Sequence, residues 1–220
     1  MKIGIYGGTF NPVHYGHLRT AQEVAEIMCL DRVIFVPAGE TPFDKPDLAE
    51  GTHRYKMVKS AIAGNSHFMI SSLETRTRGK TFTVDTITSL ADKYKKSDFY
   101  FILGIDAFMD MPLWKNPDRL VNLTNIIVIS RPDFTFAGLS QSPYLNKVPL
   151  KILRDLDKGK LDLFSFDVST KRKGFLVNVT ALNISASRIR ELIRAGKNTD
   201  YLLPESVKSY IIAHTLYVSR

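Results

Sequence analysis

The sequence predicts a doubly wound α/β fold: a parallel sheet covered by helices on both faces. Three observations carry that expectation. Short apolar runs rich in β-branched residues recur along most of the chain, helical patterns separate them, and several of the runs stop at glycine or proline. Uninterrupted runs of this kind mark strands buried on both faces, and a helix between successive strands is the connection that parallel pairing requires.

In chain order, Ile3-Gly4-Ile5-Tyr6 is the first strand, stopped by Gly7-Gly8. Tyr15 to Leu30 reads as a helix, and Val33-Ile34-Phe35-Val36 as the next strand, ended by Pro37. His53 to Ala63 is helical and Phe68-Met69-Ile70 is a short strand. A helix over Val84 to Tyr94 leads to the strongly apolar Phe99 to Leu103, and Ile126 to Ile129 is a further strand before Arg131-Pro132. From Pro132 to Gly174 the pattern loosens around Pro143, Pro149 and a charged helix near Lys151 to Lys158. That stretch, 132–174, is expected to be a peripheral insertion in a single domain spanning 1–220. The C-terminal part is helical, with Ser187 to Ala195 and then Glu205 to Ala213 after Pro204.

At 220 residues, 44% hydrophobic and 24% charged, one sizeable core is the default. The opening MKIGIYGG lacks an apolar stretch of signal-peptide length, and nowhere does the chain approach the roughly 20 apolar residues of a membrane span. A cytoplasmic protein without membrane attachment is expected. Cys29 is the sole cysteine, which excludes an intrachain disulfide and a thiolate cluster for zinc. Its neighbours in Ile27-Met28-Cys29-Leu30 predict a buried thiol. The net charge of +8 suits either a nucleic-acid surface or a site for small anionic substrates. Cations are scattered, and the densest run, Lys171-Arg172-Lys173, reads as a solvated loop, so charge alone does not choose.

The chemistry-bearing residues begin at the first strand–helix junction, Gly7-Gly8-Thr9-Phe10-Asn11-Pro12-Val13-His14-Tyr15-Gly16-His17. Two glycines after a strand let the backbone approach a ligand with its amides exposed. The loop is neither a G-x-G-x-x-G fingerprint nor a Walker A loop. It offers instead two imidazoles three residues apart, on one face at a helix start, where anions are stabilised. A metal site is the other option, but no carboxylate lies near in sequence, so phosphate binding is the better reading and no metal ligand is assigned. A second constellation, Ile184-Ser185-Ala186-Ser187-Arg188-Ile189-Arg190, opens a late helix. Ser185 or Ser187 can cap it, and Arg190 adds a forked cation suited to phosphate oxygens.

The first segment resembles the HxGH signature of the nucleotidyltransferase superfamily, with Asn11 where the bacterial members usually carry Asp. The second resembles its ISSTxIR motif, with Ala186 in place of the second serine. Further matches make the chain similar to nicotinate mononucleotide adenylyltransferases over nearly its whole length, up to about Tyr217. The resemblance implies a Rossmann-like nucleotidyltransferase fold and adenylyl transfer from ATP to nicotinate mononucleotide, giving deamido-NAD and pyrophosphate, with Mg²⁺ on ATP. It implies that His14, His17, Lys45 and Arg190 act in catalysis, Lys45 lying in Thr41-Pro42-Phe43-Asp44-Lys45-Pro46, where the family has P-P-H-K. ATP would be held by Gly7, Gly8, Thr9, Phe10, His17, Ser185, Ser187 and Arg190, and by Gly104 and Asp106 of a GxD segment. The acceptor would meet Thr81, Phe82 and Thr83 of a segment matching S-Y-T-x-D-T, together with Trp114 and Arg131.

Three rivals remain at this level. Pantetheine-phosphate adenylyltransferases share both signature motifs but lack the Thr81 to Thr86 segment and the Trp114 neighbourhood. RNA binding would suit the charge and the synthetase-like histidines, yet leaves little chain for an anticodon domain, so no nucleic-acid partner is expected. A retired nucleotide-sensing module is disfavoured by retention of both histidines and Arg190. Homo-oligomer formation is left open.

Overall fold

The computed structural model describes residues 1–40 and 47–218. Seven strands form one sheet among the described residues: β1 (Lys2–Gly8), β2 (Arg32–Pro37), β3 (Phe68–Ile70), β4 (Asp98–Gly104), β5 (Asn125–Ile129), β6 (Leu163–Asp167) and β7 (Lys173–Val177). Their order is β3-β2-β1-β4-β5-β7-β6. Every neighbouring pair is parallel except β6 with β7.

Strand alternation divides the apolar side chains between two cores, one on each face. Ile3, Ile5, Phe101, Leu103, Ile126 and Val128 face one core, which is closed by α4 (Thr83–Lys93), α5 (Ile105–Asp110), α6 (Pro117–Leu123) and α7 (Leu150–Asp157). Tyr6, Val33, Phe35, Ile102, Ile127 and Ile129 face the other. That second core is covered by α1 (Tyr15–Ile27), α2 (Gly51–Ala61), α8 (Ala186–Arg194) and α9 (Glu205–Ala213). The remaining short helix, α3 (Leu73–Arg76), follows β3. Among the described residues no helix is long and apolar enough to cross a membrane.

The chain winds outward from β1 to β2 and β3, then returns to place β4 on the other side of β1. This reversal opens a crevice at the carboxyl ends of β1 and β4, where open α/β sheets bind ligands. Gly7-Gly8 and Gly104 stand at those two ends.

Within the stretch 132–174, β6 and the start of β7 extend the main sheet at one edge. Phe166 pairs across the strands with Gly174, where an added Cβ would lie 2.1 Å from its ring. The glycine therefore makes room for the ring instead of ending the element. Cys29 is exposed, not buried. The first helix ends at Ile27, Cys29 takes a left-handed φ of 49°, and the turn sends Met28 and Leu30 inward instead.

Candidate active site

The crevice is a cleft of about 720 Å³. Of the residues expected to meet ATP or the acceptor, Gly7, Gly8, Thr9, Phe10, His17, Gly104, Asp106, Ser187, Arg190, Thr83, Trp114 and Arg131 line it. Sequence-distant segments thus meet at one place. Lys45 lies outside the described residues.

His14 is the N-cap residue of α1, and His17 stands one turn further on. The backbone N–H of His14 donates to His17 Nδ1 at 3.3 Å. That bond requires an unprotonated Nδ1, so the neutral His17 ring carries its proton on Nε2 and presents a donor there. The rings of His14 and His17 stack, with centroids 3.7 Å apart. His14 is buried and does not itself line the cleft. Burial, reinforced by the Arg131 charge, pushes the His14 imidazole down to about 4. Burial, then His14 and Arg131, hold His17 well below its usual value. Both rings are therefore neutral at pH 7. Gly16 is part of the same device: a Cβ there would lie 3.0 Å from His14 Nδ1 and Cε1.

Facing them is α8, whose N-cap Ser185 accepts from Arg188 N–H at 3.4 Å. Ser185 is therefore engaged as a cap and does not line the cleft, while Ser187 does. Arg190 donates to Asn11 O at 2.8 Å and to Ser187 Oγ at 3.3 Å, and its buried Nε has no partner among the described residues. At the end of β4, Asp106 forms an ion pair with Arg131 at 3.7 Å. A Cβ on Gly104 would fall 2.3 Å from the Asp106 carboxylate and 3.0 Å from Arg131, so glycine is what lets the pair pack over the strand end.

The wall expected to meet the acceptor is built by α4 and its surroundings. Asp85 and Thr86 are the first N–H donors of the helical ladder, both to Phe82 O, so the N–H groups of Thr83 and Val84 stand ahead of it at the positive end. Thr81 and Phe82 do not line the cleft. The Thr81 hydroxyl donates to Glu74, and the Phe82 ring lies under Lys115 Nζ at 4.4 Å. Trp114 meets the Phe101 ring edge-on and lines the cleft.

Three residues of the site's framework escape sequence reasoning. Arg54 is fully buried and donates to three carbonyls: Ala49 at 2.8 Å, Thr9 at 2.9 Å and Gly39 at 3.2 Å. Burial lowers its pKa, opposed by Tyr217 and Glu74; a guanidinium stays charged nonetheless. It clips the glycine-rich loop to the chain on either side of residues 41–46. Glu74 accepts from Gly39 N–H, the Thr81 hydroxyl and the Thr86 hydroxyl, and both Glu74 and Thr86 line the cleft. Tyr217 donates to Asn11 Oδ1 at 2.7 Å. One signal was available: Arg54 shares the buried stripe of α2 with Met57 and Val58, where a cation demands a reason.

Residues 5–192 match the family described as cytidylyltransferase-like. A protein of Syntrophotalea carbinolica named "Probable nicotinate-nucleotide adenylyltransferase" is 38% identical over 236 residues, covering 100% of this chain and 99% of its own. A Geotalea uraniireducens protein of the same name is 39% identical over 226 residues, covering 99% and 98%. Among solved structures, the Plasmodium falciparum nicotinic acid mononucleotide adenylyltransferase complexed with NaAD superposes with a TM-score of 0.71 at 23% identity, covering 98% of this chain and 97% of that one. That likeness speaks for the fold, and the sequence relatives for the family. On these grounds the chain belongs to the nicotinate-nucleotide adenylyltransferases of the cytidylyltransferase-like family.

Proposed function

We propose that this chain transfers the adenylyl group of ATP to nicotinate mononucleotide, releasing pyrophosphate and forming deamido-NAD for NAD biosynthesis. The observation that carries the reading is convergence. His17 of the first signature, Ser187 and Arg190 of the second, and Thr83 and Trp114 of the acceptor segment all line one cleft at the sheet's reversal point. The described elements are read as one nucleotidyltransferase unit.

The acceptor phosphate is already an anion, so no protein base has to make the nucleophile. An acceptor phosphate oxygen attacks the α-phosphorus of ATP, the bond to the β-phosphate oxygen breaks, and pyrophosphate leaves with the electron pair. What remains for the protein is alignment and stabilisation of charge. Neutral His17, with Nε2–H as donor and His14 stacked behind it, meets the α-phosphate. Arg190 and Ser187 take the β- and γ-phosphates, with Lys45 as a further cation. Gly7 to Phe10 bring backbone close to the nucleotide, and Gly104 with Asp106 receives the ribose. Trp114 stacks on the pyridine ring, and Arg131 adds positive potential beside it.

The substrate is MgATP. Among the described residues no group of three or more His, Cys, Asp or Glu is placed to hold a metal ion. Asp106 is paired with Arg131, and Glu74 is taken by three donors. Such a donor set suits an ion that arrives on phosphate oxygens and keeps its waters, as Mg²⁺ does.

The test is to incubate the protein with MgATP and, separately, nicotinate mononucleotide, phosphopantetheine or no acceptor, and to assay pyrophosphate together with the adenylylated product. Release dependent on the pyridine nucleotide is expected. Release with phosphopantetheine alone would move the chain to another adenylyltransferase class.

A further inference from the structure

We infer that Tyr217 is a positioning residue of the phosphate site, its hydroxyl orienting the Asn11 amide that in turn sets Arg190. The inference rests on the proposed reading of Arg190 as a phosphate ligand. Asn11 is buried, and both ends of its side-chain amide and its backbone carbonyl are engaged. Oδ1 accepts from Tyr217 Oη at 2.7 Å and from Ala49 N–H at 3.1 Å, which fills both lone pairs. Nδ2 donates to Asp47 O at 2.9 Å, and the backbone carbonyl accepts from Arg190 Nη1 at 2.8 Å.

Four stretches of chain therefore meet at one residue: the glycine-rich loop, residues 47–49 and the C-terminal segment through the Asn11 amide, and α8 through its backbone carbonyl. A second link closes the circuit, because Arg194, one turn beyond Arg190, forms an ion pair with Asp47. Tyr217 reaches the amide from a left-handed backbone, φ 65°, which residues other than glycine seldom adopt. Burial raises its phenol pKa, so the hydroxyl remains a donor across the working range. The arrangement also gives Asn11 a reason. A carboxylate at this position could accept from Tyr217 and Ala49 but would set an oxygen against the Asp47 carbonyl.

The hydroxyl's effect on Arg190 is tested with a double-mutant cycle. Tyr217→Phe keeps the ring and removes only the donor. In an otherwise unaltered chain it should raise the KM for MgATP, and its Kd by calorimetry, about fivefold, the size of one ordinary hydrogen bond. The acceptor KM should stay within about twofold. In an Arg190→Ala background the same substitution should change MgATP affinity by less than about twofold, because the group it acts through is gone. Equal effects in both backgrounds, no effect in either, or unfolding of Tyr217→Phe would overturn the inference. Arg190→Ala with intact MgATP affinity would overturn the underlying reading of Arg190 as well. Calorimetry with MgATP keeps the cycle informative if turnover with the pyridine nucleotide fails.

Discussion

The imidazoles of His14 and His17 stack with centroids 3.7 Å apart and planes 33° from parallel. Two cations cannot share that separation inside a protein, and burial disfavours the charged form of both rings. The backbone bond from His14 N–H to His17 Nδ1 then selects the neutral tautomer that offers Nε2–H. In the proposed function this donor is what His17 offers the nucleotide, while Arg131 and Arg190, in the same cleft, carry the formal charge.

Neutral burial has a consequence for stability. In the unfolded chain each imidazole titrates near 6.5, whereas folded His14 titrates near 4. Between those values the unfolded state holds the extra proton. The stabilisation is complete above about pH 6.5 and is lost as the pH falls toward 4. At pH 5 the loss from His14 alone should be on the order of 2 kcal/mol, with His17 adding in the same direction. Urea midpoints at pH 7.5 and pH 5 measure it. A wild-type shift no larger than that of the His14→Gln, His17→Gln double variant would refute the neutral pair.

Removing the donor should cost turnover more than binding. Charge on the transferring phosphoryl group grows in the transition state, so His17→Ala is expected to lower kcat about 10²-fold or more, roughly 3 kcal/mol, with a small change in MgATP affinity. His14→Ala should follow in the same direction, through loss of the ring that supports His17. Near-normal kcat in either variant would remove that residue from the mechanism.

Gly16 offers a finer probe. An alanine Cβ there would press on His14 at 3.0 Å, forcing the stacked pair to shift by a few tenths of an ångström. Alanine favours a helix over glycine by up to about 1 kcal/mol, so the fold should be little affected. Catalytic geometry is less forgiving, and kcat should fall roughly tenfold. The expected signature of Gly16→Ala is therefore an unchanged melting temperature with depressed turnover; unimpaired turnover would mean that the rings tolerate the displacement.

Much of this could be read before any coordinates. Strands β1, β2, β4 and β5 hold short apolar runs because both their faces are buried, and the glycines that end β1 and β4 announce the ligand end. Strand β6 was hidden because it lies at the edge with alternate residues exposed, and β7 because it opens with Lys173 and Gly174. In the site, residues that form local motifs were legible. Arg54, Glu74 and Tyr217 were not, since their roles come from partners far away in sequence: Arg54 to Thr9, Glu74 to Gly39, Tyr217 to Asn11.

The preference between nicotinate and nicotinamide mononucleotide is the sharpest test of the acceptor side. The two differ only in a carboxylate or a carboxamide on the ring. Thr83 lines the cleft at the start of α4, where backbone N–H groups and the helix dipole favour a negative group. Asp85 could have offset that field, but it is exposed and bound to Lys115 Nζ at 2.9 Å. An amide would set its NH₂ against those donors, a mismatch worth about 2–4 kcal/mol in a closed site. Glu74 works the other way, since it places a carboxylate in the wall of the same cleft. Its oxygens are occupied by Gly39 N–H and by the hydroxyls of Thr81 and Thr86, and the buried Arg54 cation lies close enough to feel its charge. Repulsion from Glu74 should therefore remove only part of the advantage. We expect the acid to be preferred by at least about tenfold in kcat/KM. Side-by-side pyrophosphate assays at equal acceptor concentrations measure it, and equal rates or a preference for the amide would show that the field of Glu74, not of α4, governs the pocket.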